Sequence, residues 1–206
     1  MENIKKIILF CALFSICTFM RGQNSELILY LNFDDHKENP LLEDPNDREL
    51  IENCFTKEII SGNNFEINGL AKYVPGVKNT AIKFDGFSSF IDGNLIDLNE
   101  SVMRDNISIE AWISLGAYPW NWAPIITLGR YGITGFYFGV DSTGRVGFHV
   151  SDGTSTWHEC NSKLNPETKV GLELKKWYHV VGTYSLKIVL AISVNGNLTG
   201  TYKAKA

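Results

Sequence analysis

Between Thr80 and Lys203 apolar and polar residues alternate in short runs, the period-two pattern of strands with one buried face. The pattern predicts strands over Thr80–Phe84, Ser88–Ile91, Ile107–Leu115, Ala123–Leu128, Gly135–Asp141, Arg145–Ser151, Thr154–Cys160, Trp177–Tyr184, Lys187–Val194 and Leu198–Lys203. An earlier run, Glu26–Phe33 (ELILYLNF), reads as a first strand. In Ile107–Leu115, the residues Ile107, Ile109, Ala111 and Ile113 share one face, while Ser108, Glu110, Trp112 and Ser114 share the other. The same split recurs downstream: Phe136, Phe138 and Val140 oppose Tyr137 and Asp141, and Val146, Phe148 and Val150 oppose His149. One apolar face per sheet argues for a sandwich whose outer sides are available for contact, and places His149 and His158 toward solvent.

Turn residues mark the joints: Asp141-Ser-Thr-Gly144, Ser151-Asp-Gly153 and Asn195-Gly196. Asp85-Gly86 stands between Thr80–Phe84 and Ser88–Ile91 and supplies the pair a tight hairpin demands. Residues 34–62 break the pattern. They are charged, contain Pro40 and Pro45, and read as a long surface excursion with a short helix across Asp47–Asn53, pinned by Leu50, Ile51 and Phe55. Many short strands with such turns and no long amphipathic helix give an all-β sandwich or barrel.

The N-terminus has a different character. Lys5 and Lys6 precede an apolar run from Ile7 to Met20, followed by Arg21, Gly22 and Gln23, the layout of a secretory signal and too short to span a bilayer comfortably. Residues 1–22 are therefore read as a signal peptide, with lipid attachment at Cys17 the weaker alternative, and residues 23–206 as one domain. The product is expected to be secreted, periplasmic or at the cell surface. Loss of residues 1–22 moves the net charge from −4 to −6, which argues against nucleic acid as a partner. Cys54 and Cys160 remain, and in an oxidising compartment they either pair as a disulfide or stay as buried thiols.

LNFDD at 31–35, GVKNTAIKFDG at 76–86, ISIEAWI at 107–113, WYHVVGTY at 177–184 and VNGNLTG at 194–200 occur in that order. The series resembles the laminin-G-like, concanavalin A-type jelly-roll domains, and AYPWNWAPI (Ala117–Ile125) is similar to copies found beside bacterial glycoside hydrolases, notably fructan-cleaving ones. The resemblance implies a two-sheet antiparallel jelly roll. Family members continue well past the V-N-G motif, so the chain, which stops at Ala206, is expected to be truncated at its C-terminus. The segment Tyr184–Ala191 also lacks the turn residues usual at that hairpin.

Three kinds of chemistry are candidates. Glycosidase catalysis needs two carboxylates facing each other across a cleft, and Glu110 has Trp112 rather than an acid two positions on, so the chain reads as non-catalytic. Sugar rings present apolar C–H faces to exposed aromatics, which makes Trp112, Tyr118, Trp120, Trp122 and Tyr137 the candidate carbohydrate contacts, with plugging of the core's ends the competing role. The resemblance implies a structural Ca2+, for which Asp34 and Asp35 are the first carboxylate candidates and Asp85 and Asp92 the second. The expected function is a lectin-like module recognising polysaccharide. An accessory domain packed against a glycoside hydrolase and a protein-binding adhesion domain are the alternatives.

Overall fold

A computed structural model describes residues 4–9, 25–34, 54–93, 106–129, 134–151, 156–185 and 189–204. The described residues are all-β. Two large sheets face each other. The first is six-stranded and contains β1 (Ile4–Leu9), β2 (Ser25–Leu31), β8 (Asn106–Ser114), β13 (Trp177–Ser185), β14 (Val189–Val194) and β15 (Asn197–Lys203), in the order β15-β14-β13-β8-β1-β2. The second contains β9 (Ala123–Leu128), β10 (Phe136–Val140), β11 (Val146–Ser151) and β12 (Trp157–Asn161), in the order β12-β11-β10-β9. Both are antiparallel except at β1, which runs parallel to its two neighbours.

The period-two pattern is what the sheets bury. Ile107, Ile109 and Ala111 on β8 meet Phe136, Phe138, Val140, Val146, Phe148 and Val150, all of them in the core. Gly182 on β13 makes room for this layer, because a Cβ there would lie 3.0 Å from Phe138 and 3.1 Å from Phe148. The sheets join along one side, where Gly200 on β15 lets the backbone of Asn161 approach and Lys163 N donates to Thr199 O at 3.0 Å.

Two small sheets complete the structure: β3 (Cys54–Lys57), β4 (Asn64–Asn68) and β7 (Phe90–Asp92) in the order β3-β4-β7, and β5 (Lys72–Pro75) with β6 (Thr80–Lys83). The expected hairpin across Asp85-Gly86 is not formed: β6 pairs with β5, and β7 pairs with β4. Asp85 instead closes a crossing turn. Its Oδ1 accepts from the backbone N–H of Phe87, Ser88 and Ser89 and from Ser89 Oγ, and its Oδ2 accepts from Ser88 Oγ. These hydroxyl and amide donors hold its carboxyl well below the usual range.

The excursion is also more structured than its composition suggests. β3 lies within it, and Phe55 is exposed, whereas Thr56 and Glu58 are buried. Glu58 is 1% exposed and accepts from Tyr30 N at 2.7 Å, from Ile60 N at 2.9 Å, from Ser61 N at 2.5 Å and from Ser61 Oγ at 2.7 Å. Together with Ile59 N donating to Tyr30 O, this covers the outer edge of β2. Burial pushes the Glu58 carboxyl up, but those donors outweigh it and the net shift is downward. The helix expected at Asp47–Asn53, with Leu50 and Ile51, lies outside the described residues.

Residues 4–9, read from sequence as the front of a leader, stand as β1 between β2 and β8. No helix among the described residues is long and apolar enough to cross a membrane.

Candidate functional site

The loop from Leu115 to Trp122 carries the chain from β8 in one sheet to β9 in the other, and its aromatics divide into anchors and one presented ring. Tyr118 is an anchor. Its Oη donates to Leu172 O at 3.1 Å, and its ring edge lies where a Cβ on Gly144 would come within 2.8 Å. Gly144 has φ +75 and closes the β10–β11 turn, which Asp141 stiffens. Asp141 Oδ1 accepts from Thr143 N, Thr143 Oγ1 and Arg145 N, and Oδ2 accepts from Arg145 Nε at 2.9 Å and Nη2 at 2.8 Å. Burial raises the Asp141 pKa, yet the Thr143 and Arg145 donors carry it below the ordinary value.

Trp122 is the second anchor. Gly139 on β10 and Gly147 on β11 are register partners on the outer face of the four-stranded sheet, and together they leave a groove without side chains. The Trp122 indole fills its Gly147 half, where a Cβ would lie 2.6 Å from its Cη2, and the Ala123 carbonyl and the Tyr137 ring fill the Gly139 half. Trp122 meets Tyr137 and His149 edge-on, with ring centroids 6.0 Å and 4.9 Å away. His149 Nε2 lies 3.1 Å from Asn161 Oδ1, and with that oxygen accepting, Nε2 carries the proton. Tyr137 and His149 are therefore buried beneath the loop, and His158 is buried too, 3.0 Å from Tyr202 Oη. The expectation that both histidines face solvent is overturned. The outer face of this sheet is covered over β10 and β11, while Thr127 on β9 and Glu159 on β12 stay exposed.

Trp120 lies between the two anchors and is 90% exposed, with Asn121 exposed beside it. Tyr118 and Trp122 hold the loop while Trp120 projects, so three aromatics alike in sequence have different roles.

Trp112 is not part of this group. It sits on the outer face of the six-stranded sheet, its ring 5.2 Å from that of His179, whose Nε2 is 3.4 Å from Glu110 Oε2. Glu110 thus faces an imidazole rather than a second carboxylate.

Residues 91–206 match the family described as the concanavalin A-like lectin/glucanases superfamily, in its laminin-G form. The chain belongs to this family. No curated protein matches the chain. Among solved structures, the binding domain of Paraclostridial Mosquitocidal Protein 1 is similar with a TM-score of 0.56 and 12% identity over 72% of this chain. The binding domain of Botulinum Neurotoxin DC in complex with SialylT gives 0.52 and 20% over 73%, and that of botulinum neurotoxin serotype C1 gives 0.51 and 19% over 73%. The chain spans 37% of each of those proteins, and the likeness is one of fold.

The carboxylates named for calcium are placed as follows among the described residues. Asp34 Oδ1 accepts from Thr80 N at 3.1 Å and Oδ2 from Asn79 Nδ2 at 3.0 Å, so this carboxylate ties the end of β2 to the β5–β6 turn. Asp85 is committed to its own turn, Asp92 is level with Glu66 on an exposed strand face, and Asp35 lies outside the described residues. Among the described residues no three His, Cys, Asp or Glu side chains lie together as metal ligands would. Cys160 is a free, buried thiol, pushed up to about 11 by burial, so the Cys54–Cys160 bridge is not formed.

The glycine pair and the buried histidines escaped the sequence reading. The available signal was a glycine in the interior of each of two neighbouring strands, FYFGV and VGFHV, which marks close approach by another group.

Proposed function

We propose that the chain is a non-catalytic carbohydrate-binding module, exported by its N-terminal segment, in which Trp120 stacks on the face of a sugar ring. The observation that carries this reading is a nearly fully exposed indole on a loop pinned at both sides by Tyr118 and Trp122. An exposed indole offers an apolar face to the C–H side of a sugar, and a pre-positioned ring loses little freedom when a pyranose settles on it. Asn121 beside it offers hydrogen bonds to ring hydroxyls. Tyr118, Trp122 and Tyr137 support the platform rather than touch the ligand, and Trp112 stands apart from it.

The family name joins lectins and glucanases, and the Glu110–His179 contact favours the non-catalytic side, because a glycosidase pairs two carboxylates. One structural neighbour is a binding domain in complex with SialylT, and another is in complex with rat synaptotagmin II, each a larger domain of which the matching part is 37%. The test is a glycan array with the chain and Trp120→Ala. Binding to a polysaccharide class that disappears in the variant supports the platform, and failure to bind any glycan removes it.

A further inference from the structure

Residues 163–176 lead from β12 to β13 and are tied to the loop that presents Trp120. Gly171 N donates to Thr143 O at 2.9 Å and Leu172 N to Gly144 O at 2.8 Å, which joins the segment to the β10–β11 turn. Leu172 O accepts from Tyr118 Oη at 3.1 Å, and Lys175 N donates to Leu115 O at 2.8 Å, which joins it to the loop itself. The same few residues therefore anchor the platform and border it.

Their charge is opposite to that of the chain. Residues 163–176 hold four lysines and two glutamates, in a chain of net charge −4. Lys176 takes up Glu173 at 2.6 Å, and Asp141 takes up Arg145 on the neighbouring turn at 2.8 Å. Lys169 and Lys175 are exposed and have no carboxylate partner among the described residues. Residues 115–128 hold no charged side chain, so the loop brings no acidic group that would repel an anion.

The backbone at both lysines is the kind that suits glycine. φ is +58 at Lys169 and +58 at Lys175, in the left-handed region that a Cβ makes costly. Glycine would serve the fold at least as well at either place, so what lysine adds there is its charge.

From these observations we infer that the Trp120 site takes an anionic glycan. The indole stacks on one sugar ring, and the Lys175 and Lys169 ammonium groups meet a carboxylate or sulfate on the same chain. The inference rests on the platform reading of Trp120 in the proposed function and names the ligand class for it. An ammonium is a compact, hydrated point charge on a flexible stem, so it selects for charge more than for geometry, and salt weakens it.

The test measures binding of the 206-residue chain to two matched pairs, polygalacturonate against its methyl ester and dextran sulfate against dextran. The expected result is at least about a tenfold preference for a charged member at low salt, most of it lost near 1 M salt. The pair that responds tells carboxylate from sulfate. Lys169→Gly/Lys175→Gly should bind the charged member about tenfold more weakly with a melting temperature no lower than that of the chain, and Lys169→Arg/Lys175→Arg should bind as the chain does. Should the glycine pair fail to fold, Lys169→Gln/Lys175→Gln decides by the same readout. Equal binding of charged and neutral members, binding to none of the four, or undiminished binding by the charge-free variant overturns the inference. So does binding to phosphatidylserine vesicles in place of the polysaccharides, which would assign this rim to a membrane surface. A loss in Trp120→Ala with no effect of the lysines keeps the platform and sinks the anionic ligand, whereas the reverse pattern keeps the anionic ligand and sinks the platform.

Discussion

The indole of Trp122 occupies the space that a side chain at Gly147 would need, with 2.6 Å between its Cη2 and the position of a Cβ there. Gly147→Ala therefore sets a methyl group against a ring wedged over Tyr137 and His149. The expected cost is about 1–3 kcal/mol, the range for overpacking, read as a lower denaturation midpoint with an unchanged slope. Glycan binding should weaken as well, because the loop that carries Trp120 is displaced.

Trp120→Ala and Trp122→Ala should behave oppositely. The exposed ring contributes little to folding, so Trp120→Ala should change stability by no more than about 0.5 kcal/mol. Trp122→Ala empties the space over Gly147 and should cost on the order of 3 kcal/mol. Thermal unfolding of the two variants side by side checks the division into presented and anchoring rings.

Acid should destabilise the domain through Glu58 and Asp141. Both have folded-state values below their ordinary ones, so each adds stability that is fully present above the ordinary carboxylate value of about 4 and is lost as the pH falls through the folded value. Denaturant midpoints should therefore be flat above about pH 5 and drop below pH 4. Glu58→Gln should lower the midpoint at neutral pH and make the acid drop shallower.

Gly182→Val should be strongly damaging, because it adds a branched side chain between the two sheets. Its Cβ alone would lie 3.0 Å from Phe138 and 3.1 Å from Phe148, and the two further methyl groups have nowhere to go. A loss of about 3 kcal/mol or more, or failure to yield folded protein, is expected from the overpacking. Near-ultraviolet circular dichroism and yield of folded protein check it.

Much of the sandwich was legible because its strands are amphipathic at period two: Ile107, Ile109 and Ala111, and Phe136, Phe138 and Val140, fall where alternation puts them. Alternation does not state which strand pairs with which. Asp85-Gly86 has hairpin residues, yet β6 and β7 belong to different sheets, because Asp85 uses its carboxylate to close a crossing turn. Nor does alternation show what lies on an outer face. His149 is polar and outward along β11, but a tryptophan from a distant loop covers it. The aromatics of 118–122 were recognisable as a group, while their division into anchors and platform depended on Gly144, Gly147 and the Leu172 carbonyl, none of which is near them in sequence.

Glycan titration of the chain against Trp120→Ala tests the central claim most directly. With a polysaccharide selected from an array, the platform reading predicts saturable binding to the chain and at least about a tenfold loss in the variant, as expected when a central aromatic contact is removed. Equal affinities of the two proteins, or no binding by either to any glycan, would contradict it.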